Sequence, residues 1–184
     1  MDFQATLGRI LDAFQKQDVR CALAGGFAMG ALGVPRATVD LDFLVHRDDL
    51  DKIESIMRAA GYQCLFKSEN VSQYVASLKV LGEVDFIHAF RKVSLGMLAR
   101  AVSKDLFDGK LKVKVLEPED VVGLKVQAMV NDPTRQTQEL ADIESLMGYF
   151  GGRLDWRRME EYFSLFGQQS KFLELRARHS HVDR

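Results

Sequence analysis

Apolar positions recur at helical spacing at both ends of the chain and alternate through much of its first two-thirds. Phe3, Leu7, Ile10, Leu11 and Phe14 share one face of a predicted helix over residues 3–17. A short strand over residues 20–24 follows, then a Gly25-Gly26 turn and a short buried helix over 27–32 that Gly33 and Pro35 end. Val39, Leu41, Phe43, Leu44 and Val45 predict a second strand, and Ile53, Ile56 and Met57 stripe a helix over 47–60 that Gly61 stops. Residues 62–66, 71–81 and 83–88 read as an antiparallel meander. A helix over 92–102 precedes a hairpin, 104–107 and 110–116, around Asp108-Gly109, with Leu111, Val113 and Val115 facing inward.

From Pro118 onward only helical spacing remains. Val121, Leu124, Ala128 and Met129 stripe a helix that Asn131-Asp132-Pro133 breaks, and helices over 136–149 and 156–166 are parted by Gly151-Gly152. The rest begins as helix and ends in a polar tail. The pattern predicts an α/β (α+β) chain with two parts, residues 1–116 mixing strand and helix and residues 117–184 helical throughout. No repeat is visible.

Composition narrows the function classes. Of 184 residues, 47% are hydrophobic and 28% charged, enough for a packed core. Lys and Arg (25) nearly balance Asp and Glu (26), which argues against tight, sequence-independent nucleic-acid binding. No charged-then-apolar leader and no membrane-length apolar run occur, so a soluble, unexported, cytoplasmic protein is expected. Cys21 and Cys64 lie in apolar segments and read as reduced core residues. His46 and His88 end strands and read as locally hydrogen-bonded, while His179 and His181 fall in the tail and read as solvated. No Cys/His set has zinc spacing. Gly25, Gly26, Gly30 and Gly33 do not spell a dinucleotide fingerprint, and Gly30 and Gly33 read as close-packing positions.

The candidate chemistry lies where charge interrupts apolar strands. Asp40 and Asp42 are two apart, so both point to one face while Leu41 and Phe43 point to the other. Adjacent like charges repel, and a divalent cation is the natural compensation. Asp85, in Val84-Asp85-Phe86-Ile87, is the third such charge, with Glu83 a weaker candidate on the same face. If the two strands are neighbours, the carboxylates converge and suit two cations about 3.5–4 Å apart. Taken singly, each Asp reads equally well as a strand-edge charge. Gly25-Gly26 lets the backbone approach an anion closely, and by itself reads as a bare tight turn.

Gly25-Gly26, thirteen intervening residues, Asp40-Leu41-Asp42-Phe43 and then Asp85 resemble the nucleotidyltransferase superfamily of the DNA polymerase beta type. The chain is most similar to AbiEii-like and other minimal nucleotidyltransferases. Ala24-Gly25-Gly26-Phe27-Ala28, Arg36-Ala37-Thr38-Val39-Asp40-Leu41-Asp42, Pro118-Glu119-Asp120, Leu124-Lys125 and Ala141-Asp142-Ile143 carry the match across roughly residues 20–147. The resemblance implies a mixed sheet flanked by helices and a glycine turn gripping nucleotide phosphates. Asp40 and Asp42 would bind two Mg2+ ions, with Mn2+ as substitute; Asp85 would bind one and help deprotonate the acceptor hydroxyl. Lys125 would lie near the nucleotide. Many members carry a serine where this chain has Gly26, which weakens the link to antibiotic-modifying members.

From the residues themselves, Arg36 could meet a phosphate bidentately or be a solvated loop arginine, and Thr38 flanks the entry to the Asp40 strand. Lys125 could instead snorkel at the edge of its helical stripe, and Asp142 could pair with Lys125 or Arg135. The expected activity is metal-dependent transfer of a nucleoside monophosphate from a triphosphate, releasing pyrophosphate. The acceptor is open among an RNA end, a protein side chain and a small molecule, and an antitoxin partner is open too. The alternatives are a catalytically silent nucleotide-binding protein on the same fold and, more weakly, a nuclease.

Overall fold

The structure, a computed structural model, describes residues 2–179. It divides into two compact units, Met1–Leu116 and Glu117–Arg184.

In the first unit, helix α1 (Phe3–Lys16) leads into strand β1 (Cys21–Ala24), helix α2 (Gly25–Ala31) and strand β2 (Asp40–His46). A 3-10 turn at Arg47–Asp49 opens α3 (Leu50–Ala59), followed by β3 (Tyr62–Lys67), β4 (Val71–Ala76) and β5 (Glu83–Ala89). Then come α4 (Lys92–Arg100), β6 (Val102–Leu106) and β7 (Leu111–Val115). The strands form one mixed sheet in the order β3-β4-β5-β2-β1-β7-β6. β2 pairs in parallel with β5, and β1 with β7; the remaining pairs are antiparallel. This is the α/β architecture that the pattern predicts, with β2 at its centre.

Alternation along β2 sets the two faces. Leu41, Phe43 and Val45 are buried on one side, where Phe43 stacks on Phe86 of β5 with ring centroids 5.8 Å apart. Phe14 of α1 meets both rings, at 5.9 and 6.1 Å, and Tyr74 of β4 meets Phe86 edge-on at 5.5 Å. This aromatic cluster, with Leu7, Ile10, Ile53 and Met57, is the core that fixes β2 against β5. The opposite side of the same strands carries the aspartates.

Asp49 and His88 are among the polar residues drawn into this unit, and both are paired. Asp49 accepts from the Arg20 backbone N–H at 3.0 Å and from its guanidinium at 2.8 and 3.1 Å. Although burial pushes its carboxyl up, bonds from Arg20 and Lys52 prevail and bring it down to about 2. His88 is buried; its Nδ1 bonds the Glu69 carbonyl and its Nε2 faces the Ser72 hydroxyl, each at 3.0 Å. A carbonyl only accepts, so Nδ1 carries the proton and Ser72 donates to Nε2.

Burial holds His88 below its ordinary value, Lys67 and Arg47 adding to the effect against the Glu69 bond. The unfolded chain therefore takes up this proton first as pH falls. The stability that neutral His88 contributes is complete above the unfolded value of about 6.5 and is lost as pH falls from there through the lower folded value, with a slope of at most about 1.4 kcal/mol per pH unit. The melting temperature should fall between pH 7.5 and 5.5, and less steeply in His88→Gln. An identical slope in the two proteins would remove His88 as the cause.

Several sequence expectations are corrected. The apolar run over 71–81 is not one strand: β4 ends at Ala76, and Leu78 and Val80 are exposed in a reversal completed by left-handed Gly82. The helix over 92–102 stops at Arg100 because Val102 is needed to pair with Val115. The second strand starts at Asp40, leaving Val39 exposed. Cys64 is exposed, not a core residue, because β3 is an edge strand with an irregular register between Cys64 and Phe66; Cys21 is half-buried. Gly30 makes no close packing contact, and Gly33 serves as the left-handed exit from α2. Leu111 is only half-buried, whereas Val113 and Val115 face inward.

The second unit contains α5 (Pro118–Asn131), α6 (Gln136–Phe150), α7 (Trp156–Leu165) and α8 (Gln169–His179). Its core holds Val122, Val126, Ile143, Leu146, Met159, Phe163 and Phe172. α5 and α7 approach closely at Gly123, where a Cβ would lie 2.7 Å from the Tyr162 ring. The Tyr162 hydroxyl donates to the buried Asp120 carboxylate at 2.5 Å. His179 belongs to α8 and lies near Gly148 of α6, not in a solvated tail; His181 falls outside the described residues. Among the described residues no helix is long and apolar enough to cross a membrane.

Candidate active site

The three aspartates meet because β2 is flanked by β1 and β5 in register. Asp42 lies opposite Ala24 on β1 and opposite Asp85 on β5; Asp40 lies two residues along the same face. One carboxylate oxygen from each of Asp40, Asp42 and Asp85 falls within 4.8 Å of the others, and all three side chains are half-buried. Glu83, opposite Asp40, is exposed and outside this set. Three carboxylates so close, carrying only oxygen ligands, suit a hard divalent cation. Such a set repels itself without one.

Gly25 begins α2 directly after β1, in the left-handed region at φ 59°. A Cβ there would lie 1.9 Å from Asp42 Oδ2, a separation no side chain tolerates. The glycine therefore does more than bend the chain: its bare backbone is the surface against which the Asp42 carboxylate rests. The sequence predicts a turn followed by a helix from residue 27, whereas both glycines lie within the first turn of α2. No side chain caps that turn.

Gly26 faces the loop that enters β2. A Cβ on it would lie 3.0 Å from Thr38 Oγ1 and 3.6 Å from Arg36 Cγ. Thr38 donates through Oγ1 to Asp40 Oδ1 at 2.5 Å. Arg36 is half-buried and bonds the adjacent Ala37 carbonyl. Gln73, on β4 opposite Asp85, donates through Nε2 to Asp85 Oδ2 at 3.3 Å. Gln73 escapes sequence reasoning because it sits in an ordinary strand, and only the β4–β5 register reveals its neighbour.

Lys125 belongs to the second unit. Its ammonium is buried between Glu139 Oε2 at 2.9 Å and Asp142 Oδ2 at 2.6 Å, both on α6. Arg135 closes on the other Glu139 oxygen at 2.6 Å, and Gln138 donates to Asp142 at 3.0 Å. The Asp142–Lys125 pairing weighed from the sequence is present, with Glu139 as a further member.

A family model described as "Uncharacterised nucleotidyltransferase" matches residues 1–176. Comparison with the curated proteins found no match. Among solved structures, the solution structure of the antibiotic-resistance factor ANT(2'')-Ia is 16% identical with a TM-score of 0.65, covering 97% of this chain and all of that one. The lincosamide antibiotic adenylyltransferase LnuA, lincomycin-bound, is 15% identical with a TM-score of 0.54, covering 77% of this chain and 94% of that one. An antigenic nucleotidyltransferase-like protein from Paracoccidioides brasiliensis is 16% identical with a TM-score of 0.53, covering 95% and 92%. At such identities these neighbours establish a shared fold.

Proposed function

We propose that this chain, which belongs to the family of uncharacterised nucleotidyltransferases, transfers a nucleoside monophosphate from a nucleoside triphosphate to an acceptor hydroxyl. The observation that carries the proposal is the convergence of Asp40, Asp42 and Asp85 beside the Gly25-Gly26 turn. In the transfer, the bond from the α-phosphorus to the bridging oxygen breaks, a bond to the acceptor oxygen forms, and pyrophosphate leaves. The acceptor proton passes to a carboxylate oxygen of Asp85. Mg2+, or Mn2+ in its place, would be held by Asp40, Asp42 and Asp85 and would supply charge neutralisation for the phosphate oxygens.

The remaining roles belong to the chain itself. Gly25 and Gly26 present bare backbone to the phosphates, and Arg36 and Thr38 stand at the rim of that turn. Catalysis of this kind is chiefly positioning and electrostatic stabilisation. Residues 1–116 would be the catalytic core, and residues 117–184 form a separate helical unit. Within the family, a polymerase-beta-type, AbiEii-like subclass fits the motifs quoted above, with a cytoplasmic setting and an antitoxin partner open to test. A small molecule is the acceptor class to try first, since a neighbour of this fold has been captured with adenylyl-2''-tobramycin.

The test is incubation with each labelled triphosphate, Mg2+ and a cell extract, reading pyrophosphate release and the labelled product, alongside thermal shift with Mg2+ and nucleotide. Release that EDTA abolishes, and a melting temperature that rises with ligand concentration, are expected. Binding without release would establish the silent alternative. Absence of both binding and release would overturn the proposal.

A further inference from the structure

The loop before β2 contains a device that the three carboxylates alone do not explain. Asp40, Asp42 and Asp85 lie close enough to repel one another, and a half-buried aspartate at the start of a strand is free to swing its carboxylate towards water. One hydrogen bond opposes that motion at Asp40. Thr38 Oγ1 donates to Asp40 Oδ1 at 2.5 Å, the short end of the range for a hydroxyl on a charged acceptor. The bond ties one carboxylate oxygen from outside the cluster and leaves the other to a ligand.

Thr38 is itself placed by Gly26. A Cβ at residue 26 would stand 3.0 Å from Thr38 Oγ1 and 3.1 Å from Thr38 Cβ, so any side chain there would push the threonine by a few tenths of an ångström. The branched Cβ of threonine also restricts its rotation, which a serine would not match. The second glycine of the pair is thus explained by the room it leaves for Thr38. Gln73 acts on Asp85 in the same sense, but over a longer bond and from an exposed side chain.

We infer that Thr38 is a positioning residue: with Gly26 making room for it, its hydroxyl locks the Asp40 carboxylate in the orientation that receives a divalent cation. The inference rests on the proposed function and assigns Thr38 to the metal, not to the nucleotide. Loss of a hydrogen bond behind a metal ligand lowers metal affinity by about 10-fold or more.

The test measures Mn2+ binding without nucleotide, by the loss of the free-ion electron paramagnetic resonance signal, in the full-length protein. Thr38→Val should weaken Mn2+ binding by about 10-fold, and Thr38→Ser should stay within about threefold of the original. Turnover of Thr38→Val should recover with added metal. Gly26→Ala should weaken Mn2+ binding when Thr38 is present and add little in a Thr38→Ala background, which keeps the inference testable if the valine variant folds poorly. Unchanged Mn2+ affinity in Thr38→Val, with a raised KM for nucleotide, would overturn the inference and leave the proposed function standing. An original protein that neither binds Mn2+ nor releases pyrophosphate would take both down.

Discussion

Asp42→Asn should abolish turnover while leaving the metal-free protein as stable as before, or more so. Asp42 sits between the other two carboxylates in register, opposite Asp85 and two residues from Asp40. Converting it to a neutral amide of the same shape removes the charge most exposed to repulsion, and relief of one such contact is worth roughly 0.2–1 kcal/mol. The same change removes a central ligand of the proposed cation, and activity should drop by about three orders of magnitude or more. Pyrophosphate release and thermal unfolding in EDTA, run on one preparation, measure both effects. A marked fall in the metal-free melting temperature would show that Asp42 holds the sheet together and that the clustering is structural.

Lys125→Met should do the opposite: it should cost stability first. The side chain keeps its length but loses the charge that sits between Glu139 and Asp142, all three groups being buried. Two carboxylates would then face each other without the central ammonium, beside the exposed Arg135 and Gln138. Breaking a buried pair in this way costs about 3–5 kcal/mol, a large share of what a small helical unit possesses. Denaturant unfolding gives the loss directly, and adding Glu139→Gln and Asp142→Asn to the same chain should restore most of it. Should Lys125→Met unfold at the original denaturant concentration while the KM for nucleotide rises, the lysine would belong to the nucleotide, as the resemblance implies.

The two residues also mark what a sequence can and cannot disclose. Asp40, Asp42 and Asp85 stand out because each breaks an apolar run, a local signal that survives without knowing any contact. Their meeting place does not stand out. It depends on β2 and β5 pairing in parallel across a long connection, which no alternation specifies. Lys125 reads as ligand-facing or snorkelling, with Asp142 one partner to weigh and Glu139 unseen, because its partners arrive from the next helix, fourteen and seventeen residues on. Gln73 is inconspicuous for the same reason, and Thr38 stands out only as a residue at the entry to the Asp40 strand, its bond to Asp40 being a distance and not a residue type. Cys64 misleads because an apolar neighbourhood in sequence says nothing about whether a strand lies at the sheet's edge.

The pairing of Asp42 with Asp85 spans an interval of 43 residues (85 − 42), occupied by a helix and two strands. A loop of that size closes late and slowly, after the local helices and the hairpins have formed. Until it closes, the chain offers a cation two carboxylates and no third. A cation held there would therefore grip only the finished sheet, and its influence would belong to the rate at which that sheet comes apart rather than to the rate at which it assembles.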